Sequence, residues 1–328
     1  MSKIFFDQAG ISRERITGWE RSSKDLENLL SNLPTKEELY FHYLKNPAKG
    51  KVDYVVKELI WRCKREMADE FEIYHSHTLP PIKTKAKVTW TIHDDLILGG
   101  HPEYQRKGAK IWNRFAHDAV KRSSKIITFT KVVADELFTL GVPHQKIEIL
   151  KPYIAPLMAE SILEGLEMNI QHKLKNEKFA IVVGSIEVRK NPLKAVELIY
   201  KAGYLPVLAG KLVNIKSSEI PDYVLSLGSV SDGNLKYLYE NASFLVSASA
   251  YEGVNMPIYE ALKYGLPVIA SDIPVHRELL QTGVELIDFQ DDSYLKKYIN
   301  YKPERIEPIK SIDGTDYAKK YLEIWHNL

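Results

Sequence analysis

A chain of 328 residues, 45% hydrophobic and 27% charged, has the length of two domains and the composition of an ordinary globular protein. Its net charge of +2 conceals an asymmetry, with 26 Lys and Arg against 20 Asp and Glu over residues 1–155 and 19 against 23 over the rest. A single cysteine, Cys63, excludes an internal disulfide framework and a cysteine-based zinc site, no apolar run approaches the ~18 residues of a membrane span, and no nucleic-acid-binding motif occurs.

The start, MSKIFFDQAG, lacks the apolar core of a signal peptide, so the expected location is cytoplasmic. The basic first half adds an expectation of peripheral contact with a membrane surface. KIFFD (3–7), KVTWTI (87–92), KIITF (125–129) and KIEIL (146–150) read as strands. SSKDLENLLSNL (22–33), YQRKGAKIWNRFAHDAVKRS (104–123) and KVVADELFTLG (131–141) read as helices, the last capped by Thr130 and stopped at Gly141. KVDYVVKELIWRCKREMADEF (51–71) reads as a longer helix with Val55, Val56, Leu59 and Ile60 on one stripe.

KPYIAPLM (151–158), with two prolines, reads as a linker. Strands then resume as FAIVVG, LPVLAG, YVLSLG, FLVSA, LPVIAS and VELID, with helices between them, and GTDYAKKYLEIWHNL (314–328) closes the chain as an amphipathic helix. This alternation predicts an α/β protein of two doubly wound, Rossmann-like domains facing a central cleft, with ligands beyond the carboxyl ends of the strands.

Four stretches at such strand ends carry candidate chemistry. In WTIHDDLILGGHPEY, His93 and Asp94 follow a strand directly, and His93 is either a hydrogen-bonding partner for a sugar hydroxyl or a structural histidine. His75, His77 and His101 are further candidates. HSH at 75–77 resembles a metal pair, but no third ligand has suitable spacing, so no metal is expected. GSIEVRKNP (184–192) puts Arg189 and Lys190 at a helix start after a strand ending in Gly184, either to neutralise a diphosphate leaving group without a metal or as a solvated basic pair.

In LGSVSDGNL, backbone groups of Ser229 and Val230 are placed to hold a nucleobase edge, while Asp232 is a candidate helix cap. In EGVNMPIYEALKYGLPVIASD, Pro257 suits the first helical position, where its missing N–H costs nothing. The helix start offers amides to a phosphate, Glu260 offers a bidentate acceptor to a ribose, and Glu252 faces whatever the phosphate carries. The alternative is that both glutamates only favour the helix start electrostatically.

These residues together, GSIEVRKN, LGSVSDGNLKYLYENASFLVSAS and EGVNMPIYEALKYGLPVIASDIPVHREL with TIHDD before them, resemble the retaining nucleotide-sugar glycosyltransferases of family four, which have the GT-B fold. The resemblance covers most of the chain beyond about residue 73, and its most specific element is the glutamate pair, Glu252 and Glu260.

It implies transfer of a hexose-type sugar, with retention, from a nucleotide-diphosphate sugar to the hydroxyl of a glycan, lipid-linked or small-molecule acceptor. Neither an obligatory metal nor another cofactor is implied. His93, Glu252, Arg189 and Lys190 would be catalytic. Gly184, Ser185, Arg189, Lys190, Ser229, Val230, Glu252, Asn255, Met256 and Glu260 would hold the donor, and Gly18 would serve the amino-terminal glycine loop. Residues 1–152 with 305–328 crossing back would form the acceptor-side domain, and 153–304 the donor domain.

Departures are Ser185 where the family often has Arg, and Val254–Asn255 where it commonly has Phe–Gly. They keep open a catalytically silent nucleotide- or glycan-binding subunit. A sugar phosphorylase or a nucleotide-sugar epimerase is a further alternative on the same scaffold. No G-x-G-x-x-G follows a strand, which disfavours a dinucleotide dehydrogenase.

Overall fold

The computed structural model describes residues 2–8, 18–43, 68–105, 109–157, 163–278, 283–291 and 293–328. Most of the helix read over 51–71 lies outside them. The chain divides into two compact units, Met1–Tyr153 with Ile312–Leu328, and Ile154–Ser311.

The first unit runs β1 (Lys3–Asp7), α1 (Gly18–Asn32), β2 (Glu38–His42), β3 (Ile73–Ser76), β4 (Lys87–Thr91), α2 (Ala109–Arg122), β5 (Ser123–Thr128), α3 (Lys131–Thr139) and β6 (Ile147–Ile149). Its sheet is parallel throughout, in the order β2-β1-β3-β4-β5-β6. The strands β2 and β3 are additions to the sequence reading. ELYFH and IYHS mix histidine and tyrosine into short runs, so apolar patterning does not mark them. Thr130 caps α3 by accepting from the Val133 amide.

The second unit runs α4 (Met168–Asn176), β7 (Phe179–Val183), α5 (Pro192–Lys201), β8 (Leu205–Ala209), β9 (Leu225–Gly228), α6 (Asp232–Asn241), β10 (Leu245–Ser247), α7 (Met256–Lys263), β11 (Val268–Ser271), α8 (Pro274–Glu278), β12 (Val284–Ile287) and α9 (Tyr294–Lys297). Its parallel sheet has the order β12-β11-β10-β7-β8-β9. FAIVV of β7 is apolar without alternation because both of its faces are covered. Phe179 and Ile181 enter one core cluster, Ala180 and Val182 the other. The strand order reverses between β7 and β10, so the loops leaving those two strands diverge to opposite faces and open a crevice at their carboxyl ends.

A last helix, α10 (Gly314–His326), returns to the first unit. The fully buried Trp325 donates to Thr89 Oγ at 3.0 Å, and the Tyr321 hydroxyl lies 3.3 Å from Thr91 Oγ. The return begins at Ile312, later than the 305 read from sequence, because the preceding segment is fastened to the second unit. The Arg305 guanidinium donates to the carbonyls of Tyr239, Glu240, Ala242 and Tyr264, and the Ile306 amide to that of Gly265. Among the described residues, no helix is long and apolar enough to cross a membrane.

Candidate active site

Gly184 ends β7 at φ +117° and Gly210 follows β8 at φ +157°, both outside the range ordinary side chains adopt. A Cβ on Gly210 would lie 1.6 Å from the Gly184 carbonyl oxygen, so the two backbones approach as only glycine permits. A Cβ on Gly184 would lie 3.6 Å from Lys190 Nζ and 3.9 Å from Pro257 Cγ. Gly184 is therefore the floor of a small space between the lysine and the start of α7.

Above that floor four charges are paired. Lys190 Nζ donates to Glu252 Oε1 at 2.7 Å, Arg189 Nη1 to Glu252 Oε2 at 3.1 Å and Arg189 Nη2 to Glu187 Oε1 at 2.7 Å. Arg189 also donates to the Tyr251 carbonyl. Ser249 Oγ adds a hydrogen bond to Glu252 Oε1 at 2.8 Å. Burial alone would raise the Glu252 carboxyl, but Lys190 and then Arg189 outweigh it and hold it at about 2. Burial likewise opposes the charge on Arg189, and the Glu252 and Glu187 carboxylates reverse that and raise it.

The sequence reading gave both cations to a diphosphate. In the structure the formal charges cancel, and Arg189 is spent on Glu187, Glu252 and a carbonyl. The Lys190 ammonium has Glu252 alone as hydrogen-bond partner among the described residues. Ser185, read as a donor-holding residue where the family often has Arg, donates to Glu187 at 3.3 Å.

The turn into α7 is made by Asn255 at φ 63°, a left-handed position that asparagine tolerates better than other non-glycine residues. Met256 is the first helical residue and Pro257 the second, one place later than expected. One turn on, the buried Glu260 accepts from the fully buried Tyr239 hydroxyl at 2.6 Å. The two glutamates thus point to different partners, Glu252 to the cations and Glu260 to a phenol. Ser229 is exposed beyond β9, with Val230 packed on the core beside it. The cap of α6 is Ser231, which accepts from the Asn234 amide at 3.2 Å, and Asp232 is the first helical residue instead of the cap.

In the first unit, His93 Nε2 donates to the His77 carbonyl at 3.0 Å, which leaves Nδ1 as an acceptor. Burial lowers its pKa to about 4, so the ring is neutral at pH 7. His75 and His77 are taken up by the interior. His75 meets Thr89 Oγ at 2.9 Å and His77 at 3.4 Å, and His77 meets Ser22 Oγ at 3.2 Å. His101 lies 3.9 Å from Asp95 and 3.6 Å from Glu136, tying its loop to α3. Gly18 is the first residue of α1, and nothing among the described residues within 4 Å would meet a side chain there.

Sequence reasoning missed Glu187, Ser249 and Tyr239. Glu187 and Ser249 each lie within three residues of a named site residue, a weak signal. Tyr239 reads only as part of the apolar face of α6.

At the carboxyl ends of the strands, a lysine, a carboxylate pair and a helix start thus converge above a glycine floor. Comparison with known proteins is specific about the class. The family model for glycosyl transferases group 1 matches residues 166–302, and that for glycosyltransferase family 4 matches residues 30–155. The chain is a glycosyltransferase of the family-four type.

It is 26% identical over 277 residues to the O-antigen chain mannosyltransferase B of Escherichia coli, covering 78% of this chain and 71% of that protein. It is 21% identical over 314 residues to the GDP-mannose:cellobiosyl-diphosphopolyprenol alpha-mannosyltransferase of Komagataeibacter xylinus, covering 85% and 76%. The crystal structure of Anabaena HepE with UDP and glucose aligns over all of both chains with a TM-score of 0.66 at 14% identity, a likeness that shows the GT-B fold.

Proposed function

We propose that this enzyme transfers mannose from GDP-mannose to the hydroxyl of a growing or lipid-linked glycan, retaining the anomeric configuration and using no metal. The Lys190–Glu252 pair above Gly184 carries the reading. The names of the mannosyltransferase relatives support the sugar, and the Komagataeibacter relative supports the base.

In this account the ammonium of Lys190, with protons left over after Glu252, and the amides at the start of α7 take the donor diphosphate as its charge develops. Glu260, held by Tyr239, accepts from the ribose hydroxyls. Glu252, fixed by Arg189 and Ser249, faces the sugar as the anomeric carbon becomes oxocarbenium-like. Ser229 and Val230 offer backbone groups to the base. The departing diphosphate competes with Glu252 for the same ammonium, so Lys190 serves leaving group and carboxylate in turn. The basic first half is proposed to meet an anionic membrane surface where a lipid-linked acceptor resides.

Thermal unfolding against GDP, UDP, ADP and dTDP, each in EDTA and in Mg²⁺, tests the reading. GDP at ~100 times its Kd adds ~2.7 kcal/mol, and the account expects that shift with GDP alone and in either medium. Stabilisation by UDP but not GDP, or only with Mg²⁺, would contradict it.

A further inference from the structure

Asn255 has two roles. Its backbone takes the left-handed turn, which a glycine would do at no cost, and its side chain is buried at 5% exposure. There Nδ2 donates to Ser247 Oγ at 2.8 Å and meets His276 Nε2, also at 2.8 Å. His276 is fully buried in α8, and its Nδ1 lies 2.8 Å from the Ser271 carbonyl oxygen. A carbonyl only accepts, so Nδ1 carries the proton and Nε2 presents a lone pair, which requires the amide nitrogen of Asn255 opposite it.

The same logic runs onward. The Ser249 hydroxyl spends its proton on Glu252 at 2.8 Å, so toward Ser247, 3.5 Å away, it can only accept. Ser247 accepts from Asn255 and so directs its own proton to Ser249. Every hydrogen in the path Asn255–Ser247–Ser249–Glu252 then points toward the carboxylate, with His276 fixing the far end. The path joins the ends of β10 and β11 and the starts of α7 and α8 to one functional group, with Asn255, Ser249, Glu252 and His276 buried and Ser247 half-buried. Interior hydrogen bonds of fixed direction are stronger and more selective than the same bonds in water.

We propose that His276 and Asn255 are positioning residues for Glu252, acting through Ser247 and Ser249, and that they set the carboxylate's aim at the donor sugar without touching the donor. This rests on the reading of Glu252 given under Proposed function. Because Lys190 and Glu260 grip the nucleotide, loss of the path lowers turnover and leaves nucleotide binding intact.

The experiment uses the full chain and three variants, Asn255→Gly, His276→Leu and His276→Gln. For each, GDP binding is measured by calorimetry, the unfolding midpoint by heating, and kcat and KM with GDP-mannose. Asn255→Gly keeps the left-handed turn and removes only the side chain. The expected result is a kcat about tenfold or more below wild type, with GDP affinity within about twofold. His276→Leu behaves alike. His276→Gln, whose amide can donate to Ser271 and accept from Asn255, restores kcat to within about threefold of wild type.

Wild-type kcat in Asn255→Gly would overturn the proposal while leaving the function intact. Losses in GDP affinity that track the losses in kcat would assign these residues a merely structural role and also overturn it. A wild-type enzyme that binds GDP but transfers no sugar would instead defeat the functional reading, and the positioning role with it.

Discussion

Lys190 donates to Glu252 at 2.7 Å, so a cation and a carboxylate that the sequence assigns to different ends of a donor are each other's partner. Arg189 completes the arrangement from the other carboxylate oxygen at 3.1 Å. Removing one member of such a buried pair costs more than the pair itself contributes, because the survivor is left desolvated.

Glu252→Gln is therefore expected to destabilise the fold by ~3–5 kcal/mol, leaving Lys190 without its carboxylate and Arg189 with Glu187 alone. Lys190→Met combined with Glu252→Gln is expected to recover part of that loss, with a coupling of about 1–3 kcal/mol. Urea unfolding of both single variants and the double variant measures it. Additive losses would show that the pair is not a unit.

Tyr239→Phe removes the hydroxyl that holds Glu260. A hydrogen bond to a charged group contributes ~1.5–3 kcal/mol, so the donor KM is expected to rise about tenfold or more with kcat little changed. Steady-state kinetics against donor concentration check this. A fall in kcat at unchanged KM would place Glu260 at the reacting carbon instead of the ribose.

Gly210→Ala is expected to be a folding defect, costing more than ~4 kcal/mol, because its Cβ would overlap backbone 1.6 Å away. Gly184→Ala meets no such overlap, but its left-handed φ makes it strained by ~1–2 kcal/mol and crowds Lys190. It is expected to fold and to bind GDP less well. Unfolding midpoints and GDP calorimetry separate the two outcomes.

The buried histidines predict the behaviour in acid. Burial lowers His75 to about 3 and His93 to about 4, and burial with help from its two histidine neighbours lowers His77 well below the ordinary histidine range. Unfolded histidines titrate near 6.5, so between there and about 3 the unfolded chain binds protons that the native one refuses. Stability is complete above about pH 6.5 and falls with pH through that window, by up to ~1.4 kcal/mol per pH unit for each such histidine. Urea midpoints at pH 7.5, 6 and 5 should decline for wild type. His75→Gln should decline less steeply, and an equal slope would remove His75 from the account.

The second unit was the more legible half of the sequence. FAIVV, LPVLA and VIAS are apolar runs long enough to announce strands covered on both faces, and the glycines after the first two mark the strand ends. The first unit hid β2 and β3 because tyrosine and histidine replace aliphatic residues there, and their ring contacts are with partners distant in sequence, such as Phe5, Trp325 and Tyr321. The motifs single out Lys190, Glu252 and Glu260, yet spacing carries no information on pairing. That Arg189 is spent on Glu187, and that Glu260 leans on a tyrosine of another helix, follows only from how the strand ends converge. Asn255 read as a departure from pattern. The structure gives it a turn to make and two hydrogen bonds to donate.

The most direct test of the central claim is calorimetric titration of wild type and Lys190→Ala with GDP in EDTA. The account predicts micromolar-range or tighter binding by wild type and a loss of about tenfold or more in the variant, the contribution of one hydrogen bond to a charged phosphate. Equal affinity in the two proteins would contradict it, because the diphosphate would then be held away from Gly184, Lys190 and the start of α7.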